Sequence, residues 1–503
     1  MNLKSTTFAG FFILITGMLA GQVNNSLISN DWNNGGGNPQ RNGLANVDGP
    51  TTDSVLWQVN HPGLFGMPVY IEGNKLVTMR FISSTNSPIV CYDLNNGTLL
   101  WEKEITGFTA KSLPIGVRDE QVYAIRSTDY YAGDSLYAFD LNTGEKIWTS
   151  DVTVCIYGNA SACFAPNGDL LMERYMNFSR INYQTGELIW DCQAHGFVIG
   201  HLEMSVNNTI NTGYFMEQQD GGVAYVTAVD LSTGTKKYSH IINNTHPGGG
   251  LNQVPFIVGS NGIIYAHKQG DNITALEDDG TALNLLWETE LLVDRAFSHI
   301  CEGIDGFIYA PYNDKIVRID PNSGQIADSS QSISSTQYGT PVISATQNNM
   351  IYLTNGENEV YAFDLDLNLI WSDYVPNTTY SGAAIGTDGL IAVAGTDIIK
   401  VYAPGNTVNV EENIIPEPLN LSHNYPNPFK TNTTIEYSIP EAALVSLKVY
   451  NYFGNEIAIL VNERKAAGTH IVNWDAQGFP AGTYFYVIQA GSFTERKKMI
   501  LVK

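Results

Sequence analysis

One acidic stretch has part of the spacing of a calcium-binding loop. Asp364 to Asn368, "DLDLN", places oxygen ligands at alternate positions, as such loops do. The same loop requires glycine at its sixth position and glutamate at its twelfth, and this chain has Leu369 and Val375 there. We therefore expect these carboxylates to be alternating strand residues, and the sequence predicts no metal site.

The other reactive residue types also lack a catalytic arrangement. His195 and His201 are six residues apart, as are His240 and His246, and this spacing alone does not define metal ligands. The chain has no H-E-x-x-H, no G-x-S-x-G and no P-loop, the signatures of metalloproteases, serine hydrolases and P-loop nucleotide-binding proteins. We expect hydrogen-bonded or solvated histidines, and we predict no catalytic residues.

The five cysteines allow two internal disulfides at most. Cys91 stands where a repeated segment elsewhere has Ala138, so we expect it to pack in a core. Cys155, Cys163 and Cys192 cluster in one repeat, and two alternatives stay open for them: a disulfide within the cluster, or buried thiols.

The amino terminus and the overall charge point to an exported protein. Residues 1–21 have a lysine, an apolar run from Phe8 to Leu19 and then small residues, which is the layout of a secretory signal peptide. A membrane anchor is the alternative, but the run is shorter than the ~20 residues of a span. No later stretch is long enough to cross a membrane. The net charge of −24 disfavours nucleic acid as a partner.

The elements that would position a site repeat along the chain. The hairpin "SLYAFDLNTGEKIWTSDV" (residues 135–152) recurs in near-copies, and the position of Trp148, aromatic in all copies but one, recurs at intervals of 40 to 49 residues. The aligned residues are Trp57, Trp101, Trp148, Trp190, Tyr238, Trp287, Ala327 and Trp371. A second pair of β runs precedes each hairpin, so every unit has four strands, and a period of this size indicates a propeller or a solenoid. We expect the aromatic residues to pack between neighbouring sheets.

The two ends of the repeat region complement each other. Three strands' worth of sequence follows Trp371 without a terminal hairpin strand, and Ser54 to Val59 has the last strand without the first three. The sequence therefore predicts an all-β protein with an eight-bladed β-propeller over residues 55–405, whose last blade takes its outer strand from the amino-terminal side.

The repeat resembles that of the PQQ-like, or quinoprotein-type, propellers. "YAFDLNTGEKIW" carries the likeness, and the Asn/Gly-rich leader (residues 22–54) includes "DWNNGGGNPQRNG" at 31–43, which is similar to the segment before their first blade. Tyr238 and Ala327 depart from the pattern, so we expect looser packing there.

The resemblance bears on enzymatic activity. Quinoprotein dehydrogenases of this fold hold the quinone against adjacent disulfide-linked cysteines and a calcium ion, whereas this chain has no adjacent cysteines and no C-x-x-C-H haem motif. We expect no cofactor and a non-enzymatic binding or scaffold module. The alternative is an enzyme on this scaffold, either quinone-dependent or glycan-active.

A ligand-binding rim is predicted from propeller geometry. The segments that lead into the innermost strands should ring one end of the central channel. They contain Phe65, Lys111, Asn159, His201, Gln253, His299, Tyr338 and Tyr380. This mixture suits a glycan or a protein segment, and a solvated funnel is the alternative.

The last residues change character. A polar linker (406–418) precedes residues 419–503, which carry a net charge of +2 against about −26 for the rest, and whose runs predict a small seven-stranded, Ig-like β-sandwich. They resemble the type A C-terminal sorting domain of the type IX secretion system. The matching segments are "YPNPF" (425–429), "YNYFGNEI" (450–457), "HIVNWDA" (470–476), "PAGTYFY" (480–486) and "KKMILVK" (497–503).

The resemblance implies a partner and a location. The secretion translocon would read this domain after the chain reaches the periplasm, and the protein would be secreted or held at the outer cell surface. The residues to which we assign the sorting motif are Tyr425, Pro426, Asn427, Pro428, Phe429, Gly454, Trp474, Gly482, Lys497 and Lys498. Whether the domain is cleaved afterwards is left open.

Overall fold

A computed structural model describes most of the chain. The described residues are 32, 37–38, 40–64, 67–82, 87–105, 111–127, 134–154, 162–174, 177–194, 204–207, 209–219, 223–242, 256–267, 270–293, 299–312, 314–333, 342–378, 381–405, 411–414, 420–422, 424–439, 442–466, 468–491 and 493–502. The predicted signal peptide lies outside them. Within these ranges every regular element is a β-strand, and no helix is long and apolar enough to cross a membrane.

Two early strands join sheets formed much later in the chain: β1 (Leu44–Ala45) and β2 (Val55–Asn60). Consecutive antiparallel strands then form sheets 1 to 4. Sheet 1 has β3 (Tyr70–Glu72), β4 (Lys75–Met79), β5 (Ile89–Asp93) and β6 (Leu99–Lys103). Sheet 2 has β7 (Lys111–Arg118), β8 (Gln121–Ser127), β9 (Asp134–Asp140) and β10 (Lys146–Val154). Sheet 3 has β11 (Cys163–Phe164), β12 (Leu170–Arg174), β13 (Asn177–Ile181) and β14 (Leu188–Gln193). Sheet 4 has β15 (Ser205–Asn207), β16 (Thr212–Gln219), β17 (Val223–Asp230) and β18 (Lys236–Ile242).

Sheets 5 to 8 continue the same order. Sheet 5 has β19 (Phe256–Val258), β20 (Ile264–His267), β21 (Gly270–Asp278) and β22 (Leu283–Val293). Sheet 6 has β23 (Cys301–Glu302), β24 (Ile308–Tyr312), β25 (Lys315–Ile319) and β26 (Ile326–Ser329). Sheet 7 has β27 (Val342–Thr346), β28 (Met350–Thr354), β29 (Glu359–Asp364) and β30 (Leu369–Tyr374), with β1 added beside β27. Sheet 8 has β31 (Ala384–Ile385), β32 (Ile391–Gly395) and β33 (Ile398–Tyr402), followed by β2 and then β34 (Glu411–Ile414).

Contacts between neighbouring sheets follow the order of the chain. The first strands of adjacent sheets contact each other, as β11 does β15, β15 does β19 and β23 does β27. The first strand of sheet 8 also contacts the first strand of sheet 1, and the ring of Trp371 in sheet 7 packs 5.1 Å from that of Tyr402 in sheet 8. This is the arrangement of a β-propeller, with the first strand of each sheet nearest the centre.

Sheet 8 is assembled from distant parts of the chain. Strand β2 pairs antiparallel with β33, so that Trp57 lies opposite Val401 and Val59 opposite Ile399. The amino-terminal side therefore supplies the fourth strand of the sheet, as the complementary ends of the repeat region predict. Strand β34 pairs in parallel with the other edge of β2, which the polar composition of residues 406–418 gave no reason to expect.

The carboxy-terminal residues form two further sheets. The smaller has β35 (Asn420–Leu421), β36 (Asn432–Ile439) and β39 (Gly468–Asp475). The larger has β37 (Ala443–Asn451), β38 (Glu456–Lys465), β40 (Gly482–Ala490) and β41 (Phe493–Leu501). Both sheets contribute to one apolar core, in which Ile435 and Trp474 meet Leu447 and Tyr486.

The described cysteines are all buried. Cys91 faces a sheet core opposite Trp101, as its alignment with Ala138 predicts. Cys91, Cys192 and Cys301 are free thiols, and burial raises the pKa of Cys91 to about 12 and that of Cys192 to about 11. Cys163 is also buried, while Cys155 lies outside the described residues.

Candidate binding channel

Most of the tryptophans at the ends of the hairpins join their sheet to the next one. Each indole N–H donates a hydrogen bond to a backbone carbonyl oxygen beyond its own sheet, and in five of the six described cases the acceptor lies at the hairpin turn of the following sheet. The pairs are Trp57 with Leu94 (2.7 Å), Trp101 with Leu141 (2.9 Å), Trp148 with Tyr183 (3.1 Å), Trp190 with Leu231 (2.9 Å), Trp287 with Pro321 (2.8 Å) and Trp371 with Pro50 (3.2 Å). Because the donor is buried, each bond satisfies a polar group that would otherwise cost stability.

A turn glycine completes each of these contacts in the hairpins that carry one. Gly144 has φ of +67°, and a Cβ built on it would lie 2.8 Å from Cδ2 of Trp101. The residue must therefore be glycine for two reasons, the left-handed backbone and the lack of space. The other equivalent pairs are Gly97 with Trp57, Gly186 with Trp148, Gly234 with Trp190 and Gly324 with Trp287.

The two departures from tryptophan are accompanied by different turns in the next sheet. The Tyr238 hydroxyl donates to the Asp278 carboxylate, and the turn that follows has Gly280, whose added Cβ would meet nothing within 4 Å. Strand β26, which carries Ala327, is exposed along its whole length, and the next turn has Leu367 with φ of +58° in place of glycine. At the Ala327 junction both the tryptophan and the turn glycine are replaced, whereas at the Tyr238 junction the turn keeps a glycine that contacts no ring.

Leader residues contact first strands on two sides of the propeller. Strand β1 pairs in parallel with β27, the first strand of sheet 7, and three leader carbonyl oxygens accept hydrogen bonds from first strands. These bonds are Val258 to Gln40 (3.0 Å), Glu302 to Asn42 (2.8 Å) and Ala345 to Gly43 (2.7 Å). On the other side of the ring, the N–H of Ile71 in β3 donates a hydrogen bond to the Trp32 carbonyl oxygen (2.8 Å).

These anchors define which end of the channel the leader occupies. Val258 and Glu302 are the last residues of β19 and β23, so the leader lies toward the carboxyl ends of the first strands. Its polar side chains are buried there: Asn38, Gln40 and Asn42 are each at most 2% exposed, and the Gln40 amide oxygen has no hydrogen-bond partner among the described residues. The sequence missed this placement because Asn- and Gly-rich segments are typical of exposed loops.

A buried carboxylate fixes the leader between sheets 5 and 6. Glu302 accepts hydrogen bonds from the Asn42 amide (3.0 Å), the Ser260 N–H (2.8 Å) and the Ser260 hydroxyl (2.5 Å). Burial nevertheless raises the pKa of Glu302, and the three hydrogen bonds oppose that shift only in part.

A second polar cluster lies where sheet 8 meets sheet 1. His61 Nδ1 is 2.5 Å from the Tyr92 hydroxyl, and its Nε2 is 3.9 Å from Glu102. Arg80 contacts both oxygens of Glu102, at 2.9 and 3.1 Å, and also donates to the Pro62 carbonyl oxygen. Burial, and secondarily the charge of Arg80, lowers the pKa of His61 to about 3, so this histidine is neutral near pH 7.

Two of the predicted rim residues lie at the opposite end of the first strands from the leader. Lys111 is the first residue of β7 and half-buried His299 comes just before β23, so both are at the amino ends of first strands. The other six rim residues lie outside the described residues: Phe65, Asn159, His201, Gln253, Tyr338 and Tyr380.

The calcium-like stretch is a turn, and our expectation of alternating strand residues was wrong. Strand β29 ends at Asp364 and β30 begins at Leu369. Both oxygens of Asp364 accept hydrogen bonds from Asn368, from its N–H (2.8 Å) and its side chain (2.9 Å). Across the described residues no group of three or more His, Cys, Asp or Glu side chains could hold a metal ion.

His240 is on β18, with Nδ1 2.9 Å from the Leu283 carbonyl oxygen, whereas His195, His201 and His246 are not described.

The sorting-motif residues divide into buried and exposed ones. Phe429 and Trp474 are buried with their ring centroids 5.6 Å apart, whereas Tyr425, Pro426, Asn427 and Pro428 are exposed. Gly454 forms a turn with φ of +83°. Gly482 pairs with Leu501, and Lys497 and Lys498 lie on β41 opposite Tyr486 and Phe485.

Tyr486 ties the start of the domain to its core. Its hydroxyl donates to the Ser422 carbonyl oxygen (2.7 Å) and accepts from the Asn424 N–H (3.0 Å). Burial raises the pKa of this tyrosine to about 12.

The chain is similar to several solved propeller structures, and the first of them supports the fold. BamB from Moraxella catarrhalis superposes with a TM-score of 0.51 at 12% identity, covering 70% of this chain and 99% of that one. A quinohemoprotein alcohol dehydrogenase from Pseudomonas putida HK5 gives 0.41 at 12% identity, covering 80% and 83%. PorZ of Porphyromonas gingivalis, a surface component of the type IX secretion system, gives 0.38 at 11% identity, covering 90% and 70%. At such identities the first similarity shows the fold alone.

Family models match both parts of the chain, although no curated protein matches it. The model for the outer membrane protein assembly factor BamB matches residues 41–191 and 132–296, which together are just over half of the chain. The model for the secretion system C-terminal sorting domain matches residues 423–503, which indicates export through the periplasm to the cell surface or the medium. The chain therefore belongs to the BamB-like family of PQQ-type propeller-repeat proteins and ends in a secretion system C-terminal sorting domain.

Proposed function

We propose that the chain is an exported binding or scaffold protein whose propeller holds an extracellular glycan or protein segment at one end of its channel. The observation that carries this proposal is the leader, which is anchored on four of the first strands, at or near the carboxyl ends of β19, β23 and β27. With that end occupied, the channel is a cup that opens at the amino ends of the first strands, where Lys111 and His299 lie. A concave site with a few convergent polar groups is the usual form of a ligand site.

The architecture completes the proposal. The eight sheets are the blades of an eight-bladed propeller over residues 55–405, preceded by a signal peptide (1–21) and the leader (22–54). Residues 406–418 link it to an Ig-like sorting domain (419–503). Support for this division comes from the pairing of β2 with β33, the contacts between successive sheets, and the separate core of the carboxy-terminal sheets. The type IX translocon is the export partner.

A binding screen tests the cup. The mature protein is applied to a glycan and peptide array, and the double variant His299→Ala/Tyr338→Ala is then measured against each ligand found. We expect affinity to fall about tenfold or more with the melting temperature unchanged. The matched control is Tyr374→Ala, which removes an exposed aromatic ring from an outer strand. Equal affinity of the rim variant and the parent would refute the site.

The enzymatic alternative has its own test. The mature protein is incubated with calcium and pyrroloquinoline quinone, and its absorption spectrum is recorded after gel filtration. We expect no chromophore to remain with the protein. A retained, stoichiometric quinone would favour a redox enzyme over a binding module.

A further inference from the structure

The sorting segments, scattered over the last eighty residues, meet at one end of the carboxy-terminal domain. In the smaller sheet Asn432 pairs with Asp475 at this end. In the larger sheet Asn451 pairs with Tyr484, and Gly482 with Leu501. The strand ends on the opposite side of the domain are Ile439, Ala443, Lys465, Gly468, Ala490 and Phe493. We call the end at which the sorting segments meet the motif end. It contains residues 425–432, 451–456, 475–484 and 498–502.

The buried sorting residues build this end. Phe429 exchanges backbone hydrogen bonds with the last strand, donating to Ile500 (3.0 Å) and accepting from Val502 (2.8 Å). Its ring packs on Trp474, and Trp474 packs edge-on against Tyr484 at 5.4 Å. These contacts join both sheets.

Asn427 also has a structural role despite its exposure. Its side-chain oxygen accepts a hydrogen bond from the Ile500 N–H (2.9 Å), and its amide donates to the Lys498 carbonyl oxygen (3.4 Å). The side chain therefore pairs with the edge of β41 as a neighbouring strand would. Asn427, Phe429 and Trp474 therefore each have a role in stabilising the fold of the domain.

Three other aromatic residues at the same end are exposed, so stabilisation of the domain does not explain their presence. Tyr425 is 81% exposed, Tyr452 73% and Phe453 85%, the highest values for large apolar side chains among the described residues. Aromatic rings bury large areas when they contact a partner and are enriched at the energetic centres of interfaces. Three of them exposed at one end of a domain with a fully formed core indicate an interaction surface.

The turn that carries two of these rings is held in shape. Asn451 accepts hydrogen bonds from the N–H groups of Phe453 and Asn455, each at 3.0 Å, and Gly454 supplies the left-handed residue. The rings of Tyr452 and Phe453 stand edge to face at 6.0 Å. A preorganised turn loses little conformational entropy when it binds.

We propose that Tyr425, Tyr452 and Phe453 are the contact residues through which the motif end inserts into apolar pockets of an outer-membrane protein of the translocon. This inference rests on the proposed export partner. The family match assigns the domain to secretion, so its surface must be read by the secretion machinery, and the exposed rings lie where the sorting segments converge. The motif end carries Lys430 and Lys498 against Glu456 and Asp475, so it has no net charge, unlike the acidic chain as a whole.

The test compares export of full-length variants in a host that has this secretion system. The double variant Tyr452→Ser/Phe453→Ser and the single variant Tyr425→Ser are expected to reduce the surface-plus-medium fraction about tenfold or more, with the protein accumulating in the periplasm. Leu444→Ser is the matched control, because Leu444 is 64% exposed at the opposite end of the domain. Its export should equal that of the parent.

Two further measurements separate the possible failures. The melting profile of each purified variant must match the parent, since the substituted side chains are exposed. A chain lacking residues 419–503 is exported in parallel. If that chain still reaches the surface, the sorting function itself is wrong. If it is retained while the aromatic variants are exported normally, only the contact surface is wrong.

Discussion

The indole nitrogen of Trp101 donates a 2.9 Å hydrogen bond to the Leu141 carbonyl oxygen in the next sheet, beside the glycine of the same turn. Equivalent bonds recur from Trp57, Trp148, Trp190 and Trp287, so five of the junctions between sheets depend on one tryptophan and one hairpin turn.

Gly144→Ala should destabilise the propeller more than Gly280→Ala. Both glycines have positive φ, so backbone strain is common to the two variants. Only at Gly144 would the new methyl group overlap an indole ring, which adds about 1–3 kcal/mol of overpacking. Urea unfolding monitored by tryptophan fluorescence measures the difference, and equal midpoints for the two variants would contradict the steric argument.

Glu302→Gln should change how stability depends on pH. The folded-state pKa of Glu302 is raised above its ordinary value of 4.5, so the folded protein binds a proton more tightly than the unfolded chain does. Stability from this group therefore falls as pH rises from 4.5 through the raised pKa. The variant lacks the ionisable group, so its melting temperature should decline less over that interval. If the melting temperatures of the variant and the parent depend on pH in the same way, Glu302 is not the source of the pH dependence.

His61→Gln should have the opposite effect. The pKa of His61 is lowered from 6.5 to about 3, so the unfolded chain binds the proton more readily, and stability falls as pH decreases through this window. Glutamine keeps a side-chain oxygen for the Tyr92 hydroxyl but does not titrate there. Its melting temperature should fall less between pH 6.5 and 4 than that of the parent. An unchanged slope would argue against a buried neutral histidine.

A chain ending at residue 405 should fold but be less stable than one ending at residue 414. The longer chain retains β34, whose four residues pair with β2. Because a net backbone hydrogen bond contributes only about 1 kcal/mol and ordering the segment opposes it, we expect a difference of about 1–2 kcal/mol. Differential scanning calorimetry on both chains gives the comparison. Identical unfolding would mean that β34 adds nothing to sheet 8.

Local features of the fold are readable from the sequence, because a hairpin, its turn and its terminal aromatic residue lie within twenty residues of one another. The strand repeat, the role of Trp101 and the supply of β2 to sheet 8 follow from that period. The position of the leader does not, since Asn42 meets Glu302 only after six sheets have formed. Polar Asn- and Gly-rich segments have no periodicity that would reveal such burial. The convergence of the sorting segments is equally non-local, because it depends on the register of Asn451 with Tyr484.

The pairing of Val59 with Ile399 also sets the order of events during folding. A contact between residues so distant in the chain has a large loop-closure cost and slows the completion of the native state. When a polypeptide crosses a membrane with its amino end leading, β2 emerges early. It cannot pair with β33 until the other strands of sheet 8 have emerged, and only then is the propeller closed. Until then the earlier sheets resemble an open arc with an uncovered edge at each end. Chaperone binding and premature proteolysis should therefore concentrate in this interval, and the last repeat to arrive should determine how long it lasts.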